Sequence, residues 1–366
     1  MKFECVTEKL RDVIAKIAKV AGKNLSLPIL QCVFLEVRED SSRLILRTTN
    51  LELGVEAQIS CKVLKKGVAA IPADILLSYI NNLTDPSVVF EADGSNLTIT
   101  SDHATTKIKL FESSEFPSLP RISDGVVVNL SQQKLVDGFK SVMYSTSPSS
   151  MKPELASIYL YPAGQSIVFV ATDSFRLAEK IIPLSTSVSF NPLLIPYKNT
   201  VELTRLLSDE GKDEALVRVS ENQIAFETES LYITSRIVDG SFPDYKQLIP
   251  KEHETTVTVL TRDLDHILRV STIFSDKFNQ ITFRVIPSKG LEVKTFNSDV
   301  GEHTAWIDGS VEGVEISMSF NQRYISDVFA SLSSESVSLF IEKGKPMIIH
   351  GRGDDSFTYL VMPMNR

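Results

Sequence analysis

The sequence predicts an α+β protein made of three copies of one unit, each holding two helices and several antiparallel strands. Length is the first reason: 366 residues, at about 150 per domain, make two or three domains that each bury a core. The second is an internal repeat. Ile71-Pro72-Ala73, Ile195-Pro196-Tyr197 and Ser319-Phe320-Asn321 stand at successive intervals of 124 residues, and each opens an apolar run at helical spacing. The third is period-two alternation between the helices, as in Leu44 to Thr48, Leu97 to Ile99, Val217 to Val219, Ile281 to Val285 and Val337 to Ile341.

In chain order, each third opens on a short apolar strand followed by Thr7-Glu8-Lys9-Leu10, Ser131-Gln132-Gln133-Lys134-Leu135 or Thr261-Arg262-Asp263-Leu264. A hydroxyl there suits the cap of a helix, whose first N–H groups lack partners. From Lys9 to Lys23, Leu10, Val13, Ile14, Ile17 and Ala21 make one apolar face. Strands follow, with Asp93-Gly94 and Lys289-Gly290 as hairpin turns. The second helices carry Ile75, Leu76, Tyr79, Ile80 and Leu83, then Val201, Leu203, Leu206 and Leu207, then Tyr324, Ile325, Val328, Phe329 and Leu332. Phe116-Pro117 and Phe242-Pro243 close the first two repeats, and the third ends at Met362-Pro363. The expected domains are 1–122, 123–250 and 251–366.

Composition narrows the function. Apolar residues at 43% and charged residues at 23% exclude a largely disordered chain. A net charge of −8 means that nucleic-acid contact would need a local basic stripe. No apolar run reaches a membrane span, and Met1-Lys2-Phe3-Glu4-Cys5 is not a secretory leader. Cys5, Cys32 and Cys61 are too few and too far apart for a disulfide framework or zinc site, so a reducing, cytoplasmic compartment is expected.

Catalytic motifs are missing. Gly211-Lys212 lacks the flanking Gly and Ser/Thr of a phosphate loop, and no Gly-x-Ser-x-Gly occurs. His103, His253, His266, His303 and His350 lack the one-turn spacing of a shared metal site. Asp354-Asp355, within Gly351-Arg352-Gly353-Asp354-Asp355-Ser356, reads as a polar turn rather than a cation site. No metal and no cofactor are expected.

On the first helix Lys9, Lys16 and Lys23 recur every seven residues, with Lys19 beside them and Asp12 interrupting the stripe; Arg262 and Arg269 repeat that spacing in the last third. One such helix is ordinarily a solvated face. A row of equivalent helices would track phosphates without reading bases.

Four segments carry a resemblance: Leu27-Pro28-Ile29-Leu30, Ala171-Thr172-Asp173-Ser174-Phe175-Arg176-Leu177-Ala178, Val238-Asp239-Gly240-Ser241-Phe242-Pro243-Asp244-Tyr245 and Tyr359-Leu360-Val361-Met362-Pro363-Met364. In this order, length and threefold repeat, the whole chain resembles the bacterial sliding clamps, the beta subunits of replicative DNA polymerase. The resemblance implies three DNA-clamp domains in an α+β fold. It also implies a head-to-tail homodimer forming a six-domain ring, with helices lining the hole. Such a ring is a non-catalytic processivity factor that encircles duplex DNA without sequence preference. By the resemblance, Lys152 and Lys198 join Lys9, Lys16, Lys19, Lys23, Arg262 and Arg269 on the DNA side. Thr106 and Ile108 would meet Ile273 and Phe274 of the partner.

The resemblance further implies a cleft for short client peptides of the Gln-Leu-x-Leu-Phe type. These come from the replicative polymerase, the clamp loader and repair polymerases; no membrane partner is implied. Carried over by position, the cleft takes Leu155, Thr172, Ser174, Phe175, Arg176, Leu177, Pro243, Gln247, Leu248, Tyr324, Pro346, Val361, Met362, Pro363 and Met364. Ser174 stands where the family often has Gly, Phe175 where it often has His, and Gln247 and Pro346 replace an Arg and a Ser of some members. Asn24 and Asp74 fall where some members have Arg. Two other readings are an enzyme using Asp173 and Arg176 as a charged pair, and a scaffold that gathers client peptides independently of DNA.

Overall fold

The fold is taken from a computed structural model that describes residues 1–22, 26–38, 42–208 and 214–364. Each third follows one order. The first runs Lys2–Val6, helix α1 (Thr7–Ile17), the triplet Cys32–Val37, Arg43–Thr49 and Leu53–Ser60, then Lys62–Lys65, Gly67–Pro72, helix α2 (Ala73–Asn81) and the triplet Ser87–Asp93, Asn96–Thr100 and Thr105–Lys109. The second runs Val126–Ser131, α3 (Gln132–Val142), Ser157–Pro162, Ser166–Thr172, Arg176–Pro183, Leu193–Pro196, α4 (Tyr197–Ser208), Glu214–Val219, Gln223–Glu227 and Leu231–Arg236. The last runs Thr255–Leu260, α5 (Thr261–Ser271), Gln280–Ile286, Gly290–Asn297, Gly301–Ile307, Gly309–Gly313, Ile316–Asn321, α6 (Gln322–Asp327), Ser336–Ile341, Met347–Gly351 and Phe357–Val361. The three strands after a repeat's first helix are its leading triplet, and those after its second helix its trailing triplet. The α+β class, the antiparallel strands and the repeat are as expected.

The chain divides into two compact units, Met1–Gln133 with Val201–Ile237, and Lys134–Thr200 with Val238–Arg366. The middle repeat is split between them because its trailing triplet joins a sheet of the first repeat and its leading triplet joins a sheet of the last. In the first unit, Leu231–Ser235 pairs antiparallel with Leu53–Ala57, completing an eight-stranded sheet. In the second, Arg176–Lys180 pairs antiparallel with Phe357–Val361, completing a nine-stranded sheet. Each unit also holds a smaller sheet. The five-stranded one ends on Thr105–Lys109 and the four-stranded one on Gly301–Ile307.

The apolar stripes decide how helices sit. Leu10, Ile14 and Ile17 of α1 are fully buried, as are Leu264 and Leu268 of α5, each removing about 1.5–3 kcal/mol worth of side chain from water. Phe3 stacks on Phe90 at 5.0 Å, and Phe139 of α3 meets Phe169 edge-on at 5.0 Å. Gly138 lets α3 approach so closely, since a Cβ there would lie 2.7 Å from the Phe169 ring. Helix ends are met by partner helices within the first and last repeats. Arg11 of α1 donates to the carbonyls of Ile80 (3.3 Å) and Leu83 (2.5 Å) at the end of α2. Buried Gln322 of α6 donates to the Leu268 carbonyl (2.5 Å) near the end of α5.

Two local expectations change. The first helix ends at Ile17 and continues as a 3-10 turn, Ala18–Val20. The hydroxyls that open the first and last repeats do not cap. Val6 and Leu260 hold the N-cap positions of α1 and α5 without a side-chain bond, Thr7 Oγ1 is buried with no hydrogen-bond partner, and Thr261 donates to the Ser334 carbonyl at 2.7 Å. The strand runs straight into the helix, so the hydroxyl lies one residue past the cap. Asn321 does cap α6, accepting from Arg323 N–H at 3.0 Å.

Cys5, Cys32 and Cys61 are buried free thiols; burial pushes Cys5 and Cys32 up to about 12. Asp354 lies in the turn between two strands, accepting from Ser356 N–H at 2.9 Å and pairing with Lys180 at 3.6 Å. Among the described residues no helix is long and apolar enough to cross a membrane.

Burial holds His350 below its usual value, against the opposing pull of Asp355, Asp354 and Glu179. Its ring meets Phe340 edge-on at 5.8 Å. A depressed histidine means that the unfolded chain takes up a proton that the fold refuses. Stability is therefore full above the unfolded value, near 6.5, and declines as pH falls from there toward the folded value. The depressed carboxyls Glu36, Glu56 and Asp354 act only in more acid solution. Urea midpoints should drop as pH falls from about 7 to 5.5, and His350→Gln should remove that component of the slope.

Candidate functional site

The site grows from one hairpin turn of the second unit. Asp173 Oδ1 accepts from the N–H groups of Phe175 (2.9 Å) and Arg176 (3.0 Å), while Thr172 Oγ1 donates to the Arg176 carbonyl at 2.6 Å. This tight turn sets Ser174 at φ +77°, in the left-handed region that disfavours side chains. It also projects Phe175 outward, 59% exposed.

Arg176 occupies the centre. Its Nε meets Asp173 Oδ2 at 3.0 Å and its Nη1 meets Asp327 Oδ2 at 2.5 Å. The guanidinium lies 4.6 Å from the Tyr324 ring centroid and 5.9 Å from that of Tyr144. Burial opposes this charge, and the oxygens of Tyr359, Asp327 and Asp173 outweigh burial, so its basicity rises. Both Asp173 oxygens are thus engaged inside the turn, an arrangement that positions a cation rather than transferring a proton.

The C-terminal segment forms one wall. Arg176 sits opposite Val361 in the ladder, Met362 N–H donates to the Phe175 carbonyl (2.8 Å) and Met364 N–H to the Ser319 carbonyl (2.8 Å). Tyr359 is buried and donates to the Tyr324 carbonyl at 2.7 Å. The segment Phe242 to Ile249 forms another wall. Leu177 packs in one cluster with Val168, Val170, Tyr245 and Leu360, with Phe242 and Ile249 against it. Leu248 and Met362 are exposed apolar side chains. Tyr245 donates to Glu179 and shares a 2.7 Å hydrogen bond with Tyr161; burial, then these bonds, raises its pKa.

Thr172, Ser174, Phe175, Arg176, Leu177, Tyr324, Val361 and Met362 are therefore brought together by direct pairing or contact. Leu155 is buried, its carbonyl held by Ser147 N–H at 2.8 Å. Gln247 turns back to Asp244 at 2.6 Å, and Pro243 is exposed while Pro346 and Pro363 are half-buried. Asp327 and Tyr144 complete the arginine's surroundings and were not foreseen. Asp327 is 151 residues from Arg176, and an acidic residue on a short helix carries no local signal of its partner.

The basic residues sit as follows. Lys9 and Lys19 are exposed and Lys16 half-buried on α1 and its 3-10 extension; Lys23 lies outside the described residues. Lys152 and Lys198 are exposed. Arg262 and Arg269 are exposed on α5 and pair with Asp263 (3.4 Å) and Asp265 (2.8 Å). Such surface pairs are weak. Thr106 and Ile108 lie on the edge strand Thr105–Lys109. Ile273, 65% exposed, and Phe274 lie in a 3-10 turn; Phe274 stacks at 5.6 Å on His303 of the edge strand Gly301–Ile307.

This architecture defines a threefold-repeated clamp fold. The sliding clamp of Bacillus subtilis superposes with TM-score 0.95 at 20% identity, covering 100% of this chain and 99% of that one. A Pseudomonas aeruginosa sliding clamp bound to griselimycin gives TM-score 0.95 at 22% identity, covering both chains fully. The models of the DNA polymerase III beta subunit match in succession, the N-terminal domain over residues 1–120, the central domain over 129–244 and the C-terminal domain over 246–365. The chain belongs to the DNA polymerase III beta subunit family. Among curated relatives it is 27% identical to the beta sliding clamp of Synechocystis sp., covering 100% of this chain and 99% of that protein, and 25% identical to that of Salmonella typhimurium, covering both fully.

Left-handed backbone costs an L-residue about 1–2 kcal/mol, against the roughly 0.5–1 kcal/mol entropy that glycine loses on folding. Ser174→Gly should therefore raise the unfolding free energy by about 0.5–1 kcal/mol, measured by urea denaturation.

Proposed function

We propose that the chain is a DNA sliding clamp, two copies closing head to tail into a six-domain ring around duplex DNA. The observation that carries this reading is the cyclic use of edge strands. At each junction between repeats, the last strand of one leading triplet pairs antiparallel with the last strand of the next repeat's trailing triplet. That pattern uses Leu53–Ser60 with Leu231–Arg236, and Arg176–Pro183 with Phe357–Val361. Two strands of the same kind are left over, Gly301–Ile307 of the last repeat and Thr105–Lys109 of the first, and both are sheet edges. An unpaired edge invites another strand. If the third junction copies the first two, it joins the last repeat of one copy to the first repeat of another. Applied twice, this closes a dimer instead of an open filament. Thr106 and Ile108 then face the partner's Ile273 and Phe274, and Lys107 and Lys109 bring positive charge to the strand bearing Glu302.

In this reading the domains are 1–122, 123–250 and 251–366. Lys9, Lys16, Lys19, Lys23, Lys152, Lys198, Arg262 and Arg269 face phosphates, and retention on DNA is topological, requiring no bond-making chemistry. The Arg176 cleft takes short client peptides of the replicative polymerase, clamp loader and repair polymerases. Apolar side chains enter between Leu177, Leu248, Met362 and Met364, where flexible methionines repack around varied partners. The clamp works in the cytoplasm.

Light scattering at micromolar concentration should return twice the 40.7 kDa chain mass. Ile273→Asp should weaken self-association by about tenfold or more, a factor worth about 1.4 kcal/mol. Wild type loaded on closed circular DNA should stay bound and run off after linearisation; a wild-type monomer, or equal retention on both forms, overturns the ring. Replacing Lys16, Lys19 and Lys23 by Glu should weaken retention at low salt, with the difference shrinking as salt rises.

A further inference from the structure

A second cavity lies on the sheet face that carries the client cleft. It has a volume of about 510 Å³ and is lined by residues including Tyr161, Ala163, Val168, Ile181, Lys246 and Lys251. Its position follows from strand register. Thr172 pairs with Leu177 at the cleft, Val170 with Glu179 in the next pair on that face, and Val168 with Ile181 in the pair after. Alternate residues of a strand share a face, so cleft and cavity are four residues apart along it, roughly 13 Å. The segment Tyr245–Leu248 crosses between them. Tyr245 is anchored over the middle pair by its bond to Glu179, and the same segment supplies Leu248 to the cleft and Lys246 to the cavity.

The chemistry of the cavity is apolar at the floor and cationic at the rim. Val168, Ile181 and Ile249 belong to the cluster that also contains Leu177. Lys246 stands 5.4 Å from the Tyr161 ring centroid, and Lys251 is exposed. The acid that faces them, Glu179, already accepts the Tyr245 hydroxyl. The rim thus favours anionic groups, and the floor accepts an aliphatic or aromatic side chain.

We propose that this cavity is an accessory subsite for acidic, apolar segments that flank the motif of a client peptide held in the cleft. The assignment rests on the cleft reading above. A flanking segment in extended form spans the separation with about four residues, passing over Tyr245–Leu248. Tethering makes the second contact intramolecular, so a weak contact adds usefully to affinity. It also lets client proteins that share one short motif be ranked by the sequence beside it.

The test is fluorescence anisotropy with the full chain and five labelled peptides: Gln-Leu-x-Leu-Phe alone, with Glu-Leu-Glu-Glu-Leu-Glu added at the N-terminal or at the C-terminal end, and with Ser-Gly repeats of the same length at each of those ends. One acidic extension should tighten binding about fivefold or more at low salt, and the Ser-Gly extension should not. Ala163→Trp, a surface substitution that fills the cavity, should remove that gain and leave core-peptide affinity within about twofold, and the pair Lys246→Glu, Lys251→Glu should also remove the gain. Core binding with no gain from either extension, or a gain that persists in Ala163→Trp, overturns the subsite alone. Absence of core binding, or core binding unchanged by Met364→Ala, overturns the cleft reading and the subsite with it.

Discussion

The structure depends on strand pairing between repeats. A three-stranded triplet ends on a row of unpaired N–H and C=O groups, and buried or sticky edges of that kind are costly. Pairing Leu231–Ser235 with Leu53–Ala57, and Arg176–Lys180 with Phe357–Val361, answers this twice within one chain. It also explains why compactness does not follow the repeats: the middle third divides because its two triplets belong to different sheets. The helices then follow, with the end carbonyls of α2 and α5 met by a side chain of their own repeat, Arg11 in the first and Gln322 in the last.

The same pairing builds the site. Because Arg176 begins the strand that meets Phe357–Val361, the turn before it and the segment after Val361 necessarily emerge side by side, and the Met362 bond to Phe175 continues the ladder past its end. The arrangement needs no dedicated loop. Its charge is likewise local. Asp173 both shapes the turn and holds Arg176, so the cation is fixed before any ligand arrives, and Asp327 and Tyr324 hold its other side.

Much of this was legible in the sequence, and the illegible part has physical causes. Helical spacing located Leu10, Ile14 and Ile17, and Asp93-Gly94 and Lys289-Gly290 gave true hairpin turns, because both signals depend on neighbours in the chain. The hydroxyls opening the first and last repeats misled because a cap depends on where the preceding strand stops: Val6 and Leu260 still belong to strands. Strand partners leave no local trace, since period-two alternation states which face is buried and not which edge is adjacent. The Arg176 surroundings fall in the same class, with Tyr144 and Asp327 reaching it from distant elements. The resemblance offers the proposed site residues by position alone, whereas the cavity beyond Tyr245–Leu248 emerges only when register places Val168 and Ile181 on the same face as Thr172 and Leu177.

The repeat also offers an internal comparison between two copies of one turn. Thr49 to Gly54 reproduces Thr172 to Leu177 bond for bond: Asn50 Oδ1 accepts from Glu52 and Leu53 N–H as Asp173 does from Phe175 and Arg176, Thr49 donates to the Leu53 carbonyl as Thr172 does to that of Arg176, and Leu51 takes φ +75° beside +77° for Ser174. The backbone is thus common property, and the side chains differ in consequence. Leu53 replaces the arginine and is buried, so the first copy carries no central cation. Gly54 replaces Leu177, and the space is taken by Leu119, whose Cδ2 would lie 2.5 Å from a Cβ at Gly54. Glu56, at the place of Glu179, is bound by Arg47 at 2.7 Å and by Arg121, not by a tyrosine. Beside the first turn the carboxylate is thus neutralised by arginines of its own chain. The second instead holds a cation between Asp173 and Asp327 beside an exposed phenylalanine, so one backbone turn carries different chemistry in the two copies.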